Sequence, residues 1–185
     1  MRRPAVTRLA LVLGVQGMLA AGTAGGESPE AAARPTCSQG HVEVAVSLRY
    51  DDRTLGDVAG LFLQIDYPDA VALPGKGTDQ SVRARITSLL EPRCRLVPVN
   101  EDTDADGRED RIRILLVSTT KDPLPSAPVA RIRFDCAAEP PPAAFRCATG
   151  QVADSAGQLM RATEARQVTC AVAFAAGPAS PAASP

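Results

Sequence analysis

With 185 residues the chain has room for one domain and not comfortably for two. Its net charge is −1, and falls to −4 once residues 1–24, with three arginines and no acid, are set aside. That balance excludes the broad basic patch a nucleic-acid partner needs, and the absence of tryptophan beside two tyrosines and four phenylalanines leaves few ring platforms for sugars.

The N-terminus reads as a targeting segment. Arg2, Arg3 and Arg8 precede an apolar run, Leu9 to Ala21, which Gln16 interrupts, and the small residues Gly22-Thr23-Ala24 follow. The run is too short to span about 30 Å of hydrocarbon, so the pattern predicts a signal peptide, 1–24, cleaved after Ala24. Cys37 comes too late for a lipid anchor. The mature chain is therefore expected to be secreted, with no membrane span. Residues 25–40 read as a flexible lead-in, and 176–185 as a disordered tail of alanine, proline and serine.

Between these ends the dominant period is two. From His41 to Arg49, Val42, Val44, Val46 and Leu48 share one face and Glu43, Ser47 and Arg49 the other. Val58 to Tyr67 places Ala59, Leu61, Leu63, Ile65 and Tyr67 on one face, with Gln64 and Asp66 opposite; Pro68 ends it. A short strand, Ala70 to Leu73, precedes the Pro74-Gly75 turn. Ser81 to Leu90 is ambiguous between periods and is read as a strand.

Residues 94–136 then read as strand, acidic loop, strand, proline turn, strand. Ile112, Ile114 and Leu116 alternate with Arg111, Arg113 and Leu115, and Ala130, Ile132, Phe134 and Cys136 with Arg131, Arg133 and Asp135. The arginine-bearing faces must meet water. A proline-rich linker, Glu139 to Pro142, leads to a strand at 143–149. Asp154 and Gly157 mark a turn, and Val168, Cys170, Val172 and Phe174 alternate in a last strand. About nine short strands separated by turn signals predict an all-β fold: a two-sheet antiparallel sandwich, 41–175. Phe62, Phe134, Phe145 and Phe174 are read as core or near-core.

The loop between the first two strands of that unit carries Asp102-x-Asp104-x-Asp106-Gly107 with Asp110 beyond. Calcium wants six to eight oxygens, and aspartates at alternate positions of a tight loop point several carboxylates inward. Asp102, Asp104, Asp106 and Asp110 are the candidate ligands, with Glu101 or Glu109 as extras. The match to an EF-hand loop is partial, since Arg113 stands at the twelfth position. A solvated acidic hairpin tip, favoured by turn chemistry alone, fits the same residues.

Five cysteines in an exported chain predict disulfides. No pair has C-x-x-C spacing, and one histidine, His41, does not complete a common zinc set with them. Cys94 opens one strand and Cys136 closes another of the same unit, so these two are the expected pair. Cys147 or Cys37 is then left to meet Cys170; buried thiols are the alternative.

The order of pieces resembles cohesin-like modules. The run from Val58 to Pro68 (VAGLFLQIDYP) resembles their second-strand region. Residues 113–118 (RILLVS), the turn Pro123-Leu124-Pro125 and the strand 129–134 (VARIRF) resemble their succession of hydrophobic strand, turn and phenylalanine-ended strand. Residues 152–159 (VADSAGQL) resemble their late turn. The likeness spans 41–175. It implies a nine-stranded jelly roll whose role is binding: cohesins hold dockerin modules of polysaccharide-degrading enzymes. This chain shows one module and no anchor, so a partner other than a dockerin fits as well.

No G-x-S-x-G elbow, P-loop or dinucleotide fingerprint is present. His41, at the mouth of the first strand, reads as a surface residue. The expected function is non-enzymatic binding of a secreted protein partner. The alternative is a carbohydrate-binding module of the same fold, taking a polysaccharide on Tyr50 or Tyr67. A hydrolase accessory domain is a third, weaker reading.

Overall fold

A computed structural model describes residues 35–51, 55–120 and 122–174. The expectations for 1–24, for 25–34 and for 176–185 fall outside these residues.

The chain is a two-sheet antiparallel sandwich. In order its elements are β1 (His41–Arg49), β2 (Val58–Asp66), β3 (Val71–Ala72), α1 (Gln80–Ala84), β4 (Ile86–Ser88), β5 (Cys94–Glu101), β6 (Arg111–Ser118) and β7 (Pro128–Cys136). A 3-10 turn (Pro142–Ala144), β8 (Arg146–Asp154), α2 (Ala162–Ala165) and β9 (Thr169–Phe174) complete it. One sheet runs β3-β7-β1-β9, with β4 pairing further along the same edge of β7; the other runs β5-β6-β2-β8.

Alternation builds the layers. Val42, Val44, Val46 and Leu48 of β1 are buried, as are Leu61, Leu63 and Ile65 of β2 and Ile112, Ile114 and Leu116 of β6. Each such side chain contributes about 1.5–3 kcal/mol by leaving water. Aromatic rings join the layers: Phe134 of β7 meets Tyr67 at a centroid distance of 5.0 Å and Phe145 at 5.6 Å, and Phe145 meets Phe174 of β9 at 5.3 Å. Phe134, Phe145 and Phe174 thus belong to the core or its margin, as expected. Phe62 does not: it is 39% exposed.

The stretch 81–90 departs from expectation. It begins as the helix α1 and becomes the strand β4 only at Ile86. A single short helix buries one residue, Val82, and so leaves no 3.6-residue pattern for a sequence reading to find. Gly75 makes the packing possible. Its φ is +94°, and a Cβ there would lie 2.0 Å from the Ser81 hydroxyl; only glycine fits both the conformation and the space.

The expected Cys94–Cys136 disulfide is corrected. Cys136 bonds Cys37, Cys147 bonds Cys170, and Cys94 is a free, buried thiol. Cys94 opens β5 and Cys136 closes β7, which lie in different sheets. The antiparallel pairing of β1 with β7 sets His41 opposite Asp135, so the residues just before β1 run beside the end of β7. Cys37, read as part of a flexible lead-in, is thereby tied to the sandwich. Cys147 of β8 and Cys170 of β9 belong to the two different sheets, and their bond staples one open side of the sandwich. Among the described residues no helix is long and apolar enough to cross a membrane.

Candidate functional site

Two features stand out on the surface: the outer face of the β5-β6-β2-β8 sheet, and the acidic loop between β5 and β6.

The outer face is built by residues of the opposite parity to the core. Register sorts them into rows across the strands. Glu101, Arg111, Asp66 and Arg146 form one row; Val99, Arg113, Gln64 and Ala148 form the next. Val97, Leu115 and Phe62 follow, then Arg95, Val117, Gly60 and Ala153. One end of the face is therefore charged and the other mainly apolar, with Arg95 at its β5 edge. At the charged end Arg111 Nε lies 2.6 Å from Asp66 Oδ1, and Arg113 Nη2 lies 2.8 Å from Glu101 Oε1. The hydrogen bond it donates to Asp66 holds the Arg111 guanidinium above its ordinary pKa.

The apolar end is open to water. Val117 is 40% exposed and Leu159, in the loop after β8, is 66% exposed. Register in β8 breaks opposite Phe62, where a Cβ on Gly150 would stand 3.4 Å from the Phe62 Cβ. Between Phe62, Val117, Ala153 and Leu159 the side-chain-free Gly60 floors a depression of about 240 Å³. Large exposed apolar residues grouped on one sheet face mark interaction surfaces more often than chance exposure does.

The sequence reading had the parity that places Phe62 here, since Leu61, Leu63 and Ile65 face the core. Counting phenylalanine as core by type overrode that signal. Leu115 and Val117 likewise share the parity of Arg111 and Arg113.

The acidic loop is held by its own backbone. Asp102 accepts hydrogen bonds from the Ala105 N–H (2.8 Å) and the Gly107 N–H (2.9 Å). Asp104 accepts from the Asp106 N–H (3.2 Å), and Asp106 from the Arg108 N–H (2.8 Å). Ala105 and Gly107 take left-handed φ values of 62° and 92°. Asp102, Asp104 and Asp106 offer oxygens within 4.8 Å of one another, the spacing that a shared ion at 2.3–2.6 Å requires. Asp110 is employed elsewhere: its carboxylate accepts from the Thr103 N–H (3.0 Å) and the Thr103 hydroxyl (2.6 Å). Those bonds, the hydroxyl's first, hold its pKa below the usual carboxylate range. Glu101 and Glu109, the possible extra ligands, face Arg113 and Lys76.

Beneath the loop lies a buried polar knot. The Tyr67 hydroxyl donates to Asn100 Oδ1 (2.9 Å), and Asn100 Nδ2 donates to the carbonyls of Gly75 (2.8 Å) and Leu73 (3.2 Å). Burial pushes the Tyr67 phenol above its ordinary pKa. Tyr67 is thus no sugar platform. Tyr50 is half-buried, and its hydroxyl donates to the Leu124 carbonyl. His41 Nδ1 lies 2.9 Å from Asp135 Oδ1, and Arg85 contacts the same oxygen at 3.0 Å, so this set ties β1, β7 and the end of α1 together.

Comparison with known proteins found no matching family model, no matching curated protein and no matching solved structure.

Proposed function

We propose that this chain is an exported, non-enzymatic, cohesin-like binding module that docks a partner protein on the outer face of its β5-β6-β2-β8 sheet. One observation carries the reading: Phe62, Val117 and Leu159 stand exposed together around a depression floored by glycine. A face meant only for water has no use for this arrangement, because docking a partner gains the part of the about 1.5–3 kcal/mol per side chain that full burial supplies and these half-exposed residues forgo. The charged row at the other end supplies orientation, since rim charges act on specificity and encounter more than on affinity. The two disulfides support an extracellular address.

The acidic loop serves the same proposal as a calcium site held by Asp102, Asp104 and Asp106. Its role there is to stiffen the connection between β5 and β6, two strands of the docking face.

The test is capture from a mixture of exported proteins, dockerin-bearing ones included, by the mature chain and by Phe62→Asp. Wild-type chain is expected to retain a partner that Phe62→Asp loses, while Glu43→Lys on the other sheet retains it. Equal capture by wild type and Phe62→Asp overturns the reading, as does the absence of any partner, a second copy of the chain included.

A further inference from the structure

We propose that the partner of this face is a second copy of the same chain, paired about a twofold axis that lies in the contact plane and runs parallel to β2 and β6. This rests on the reading of the face as a protein-docking surface and names its occupant.

The register carries the argument. Such an axis, passing between β6 and β2, sets each cross-strand row against itself in reversed order, so β5 of one copy meets β8 of the other and β6 meets β2. In the charged row, Glu101 then lies over Arg146 and Arg111 over Asp66. Every pair joins opposite signs, and each occurs twice because a twofold contact is self-complementary. In the neighbouring row Arg113 lies over Gln64. No like charges meet.

Size complements charge. On this face β5 and β6 carry Val97, Val99, Leu115 and Val117, while β2 and β8 set the small Gly60, Ala148, Gly150 and Ala153 among the larger Phe62, Gln64, Asp66 and Arg146. Reversal sets Val117 over Gly60, Val99 over Ala148, and Val97 over the irregular step of β8 at Gly150 and Gln151. Val117, exposed in the single chain, enters the depression floored by Gly60 in its partner. Leu115 and Phe62 pack on each other across the axis. An arbitrary face does not match itself in both charge and volume under one rotation.

The footprint sets the strength. Four strands about 4.8 Å apart and residues 60–66 at about 3.3 Å each cover on the order of 450 Å² per copy, the low end of specific interfaces. The dimer is therefore weak and concentration-dependent.

Sedimentation equilibrium of the mature, disulfide-bonded chain from 1 to 200 µM tests this. A reversible monomer–dimer equilibrium is expected. Gly60→Leu fills the depression and is expected to abolish it; the nearest atoms to a Cβ at Gly60 lie 3.8 Å away, so the backbone accepts a side chain there, and a melting temperature near that of wild type is the check that the variant folds. Asp66→Arg weakens the dimer at least about tenfold by setting like charges together. Asp66→Arg with Arg111→Asp regains part of the loss, because the crossed pair returns with signs exchanged while Glu101 then faces an acid at position 111 and Arg146 a base at position 66 within each chain. A monomer at every concentration, or a dimer indifferent to Gly60→Leu and to charge reversal, overturns the proposal. If the chain is monomeric while Phe62→Asp still loses another captured protein, self-pairing alone is wrong; if it is monomeric and captures nothing, the docking reading falls with it.

Discussion

The Tyr67 hydroxyl donates a 2.9 Å hydrogen bond to Oδ1 of Asn100, and both residues are buried. Tyr67 follows β2 and Asn100 is the penultimate residue of β5, so the bond ties two strands of the β5-β6-β2-β8 sheet at the root of the acidic loop. The Tyr67 N–H also donates to the Asp110 carbonyl at 3.0 Å, which fixes the loop's other root.

Tyr67→Phe strands one buried acceptor and is expected to cost about 1–3 kcal/mol in urea unfolding. Asn100→Ala costs more, since it orphans the Tyr67 hydroxyl and the Leu73 and Gly75 carbonyls together. The linkage sign follows from the raised Tyr67 pKa. Its contribution is fully present below the unfolded tyrosine value of about 10 and is lost as pH rises above it. The wild-type advantage over Tyr67→Phe should stay constant from pH 6 to about 9 and shrink beyond about 10.

Ala105 holds a left-handed φ of 62° in the acidic loop. That conformation costs an L-residue about 1–2 kcal/mol, partly offset by the unfolded-state entropy that alanine saves. Ala105→Gly should leave stability equal or raise it by up to about 1 kcal/mol. Gly107→Ala should lower it, because the strain of an L-residue at φ 92° outweighs the unfolded-state entropy that alanine saves. Paired thermal melts of the two variants check the contrast, and equal losses in both would contradict it.

Calcium held by Asp102, Asp104 and Asp106 must stabilise the fold by linkage, by about 2.7 kcal/mol at a hundred times the dissociation constant. The melting temperature should rise with calcium and fall back with a chelator. The rise should vanish in the double variant Asp104→Ala, Asp106→Ala and persist in Asp110→Asn, because Asp110 serves Thr103. No shift at millimolar calcium removes the site.

Cys94 is the free cysteine among the described residues, and burial raises its thiol pKa. A thiol reagent should find no reactive cysteine in the native chain and one in guanidinium. Cys147→Ala with Cys170→Ala opens a loop of sequence separation 23 and should cost about 3 kcal/mol; the Cys37–Cys136 pair, separated by 99, should cost nearer 4.7.

The strands of this fold were legible because burial alternates with the pleat: every inward position of β1 and β6 announces itself as valine, isoleucine or leucine. The helices α1 and α2 were not, since neither is long enough to show a helical period. The Cys37–Cys136 bond depended on strand pairing, which local pattern does not specify. At the acidic loop, spacing sufficed to gather three aspartates; Asp110 departed because the Thr103 hydroxyl, a neighbour only after the loop folds, claims it. The exposed apolar end of the outer face was hidden by residue type. Phe62 reads as core until its parity against Leu61 and Leu63 is counted.

The most direct measurement places a photo-activated crosslinking side chain at position 62, and in a control at position 43 on the opposite sheet, in the mature chain among exported proteins. Adducts from position 62 and none from position 43 are predicted, with a mass of twice the chain where the partner is a second copy. Adducts from position 43 alone, or none from position 62, would contradict the assignment of the outer β5-β6-β2-β8 face as the place where this protein binds.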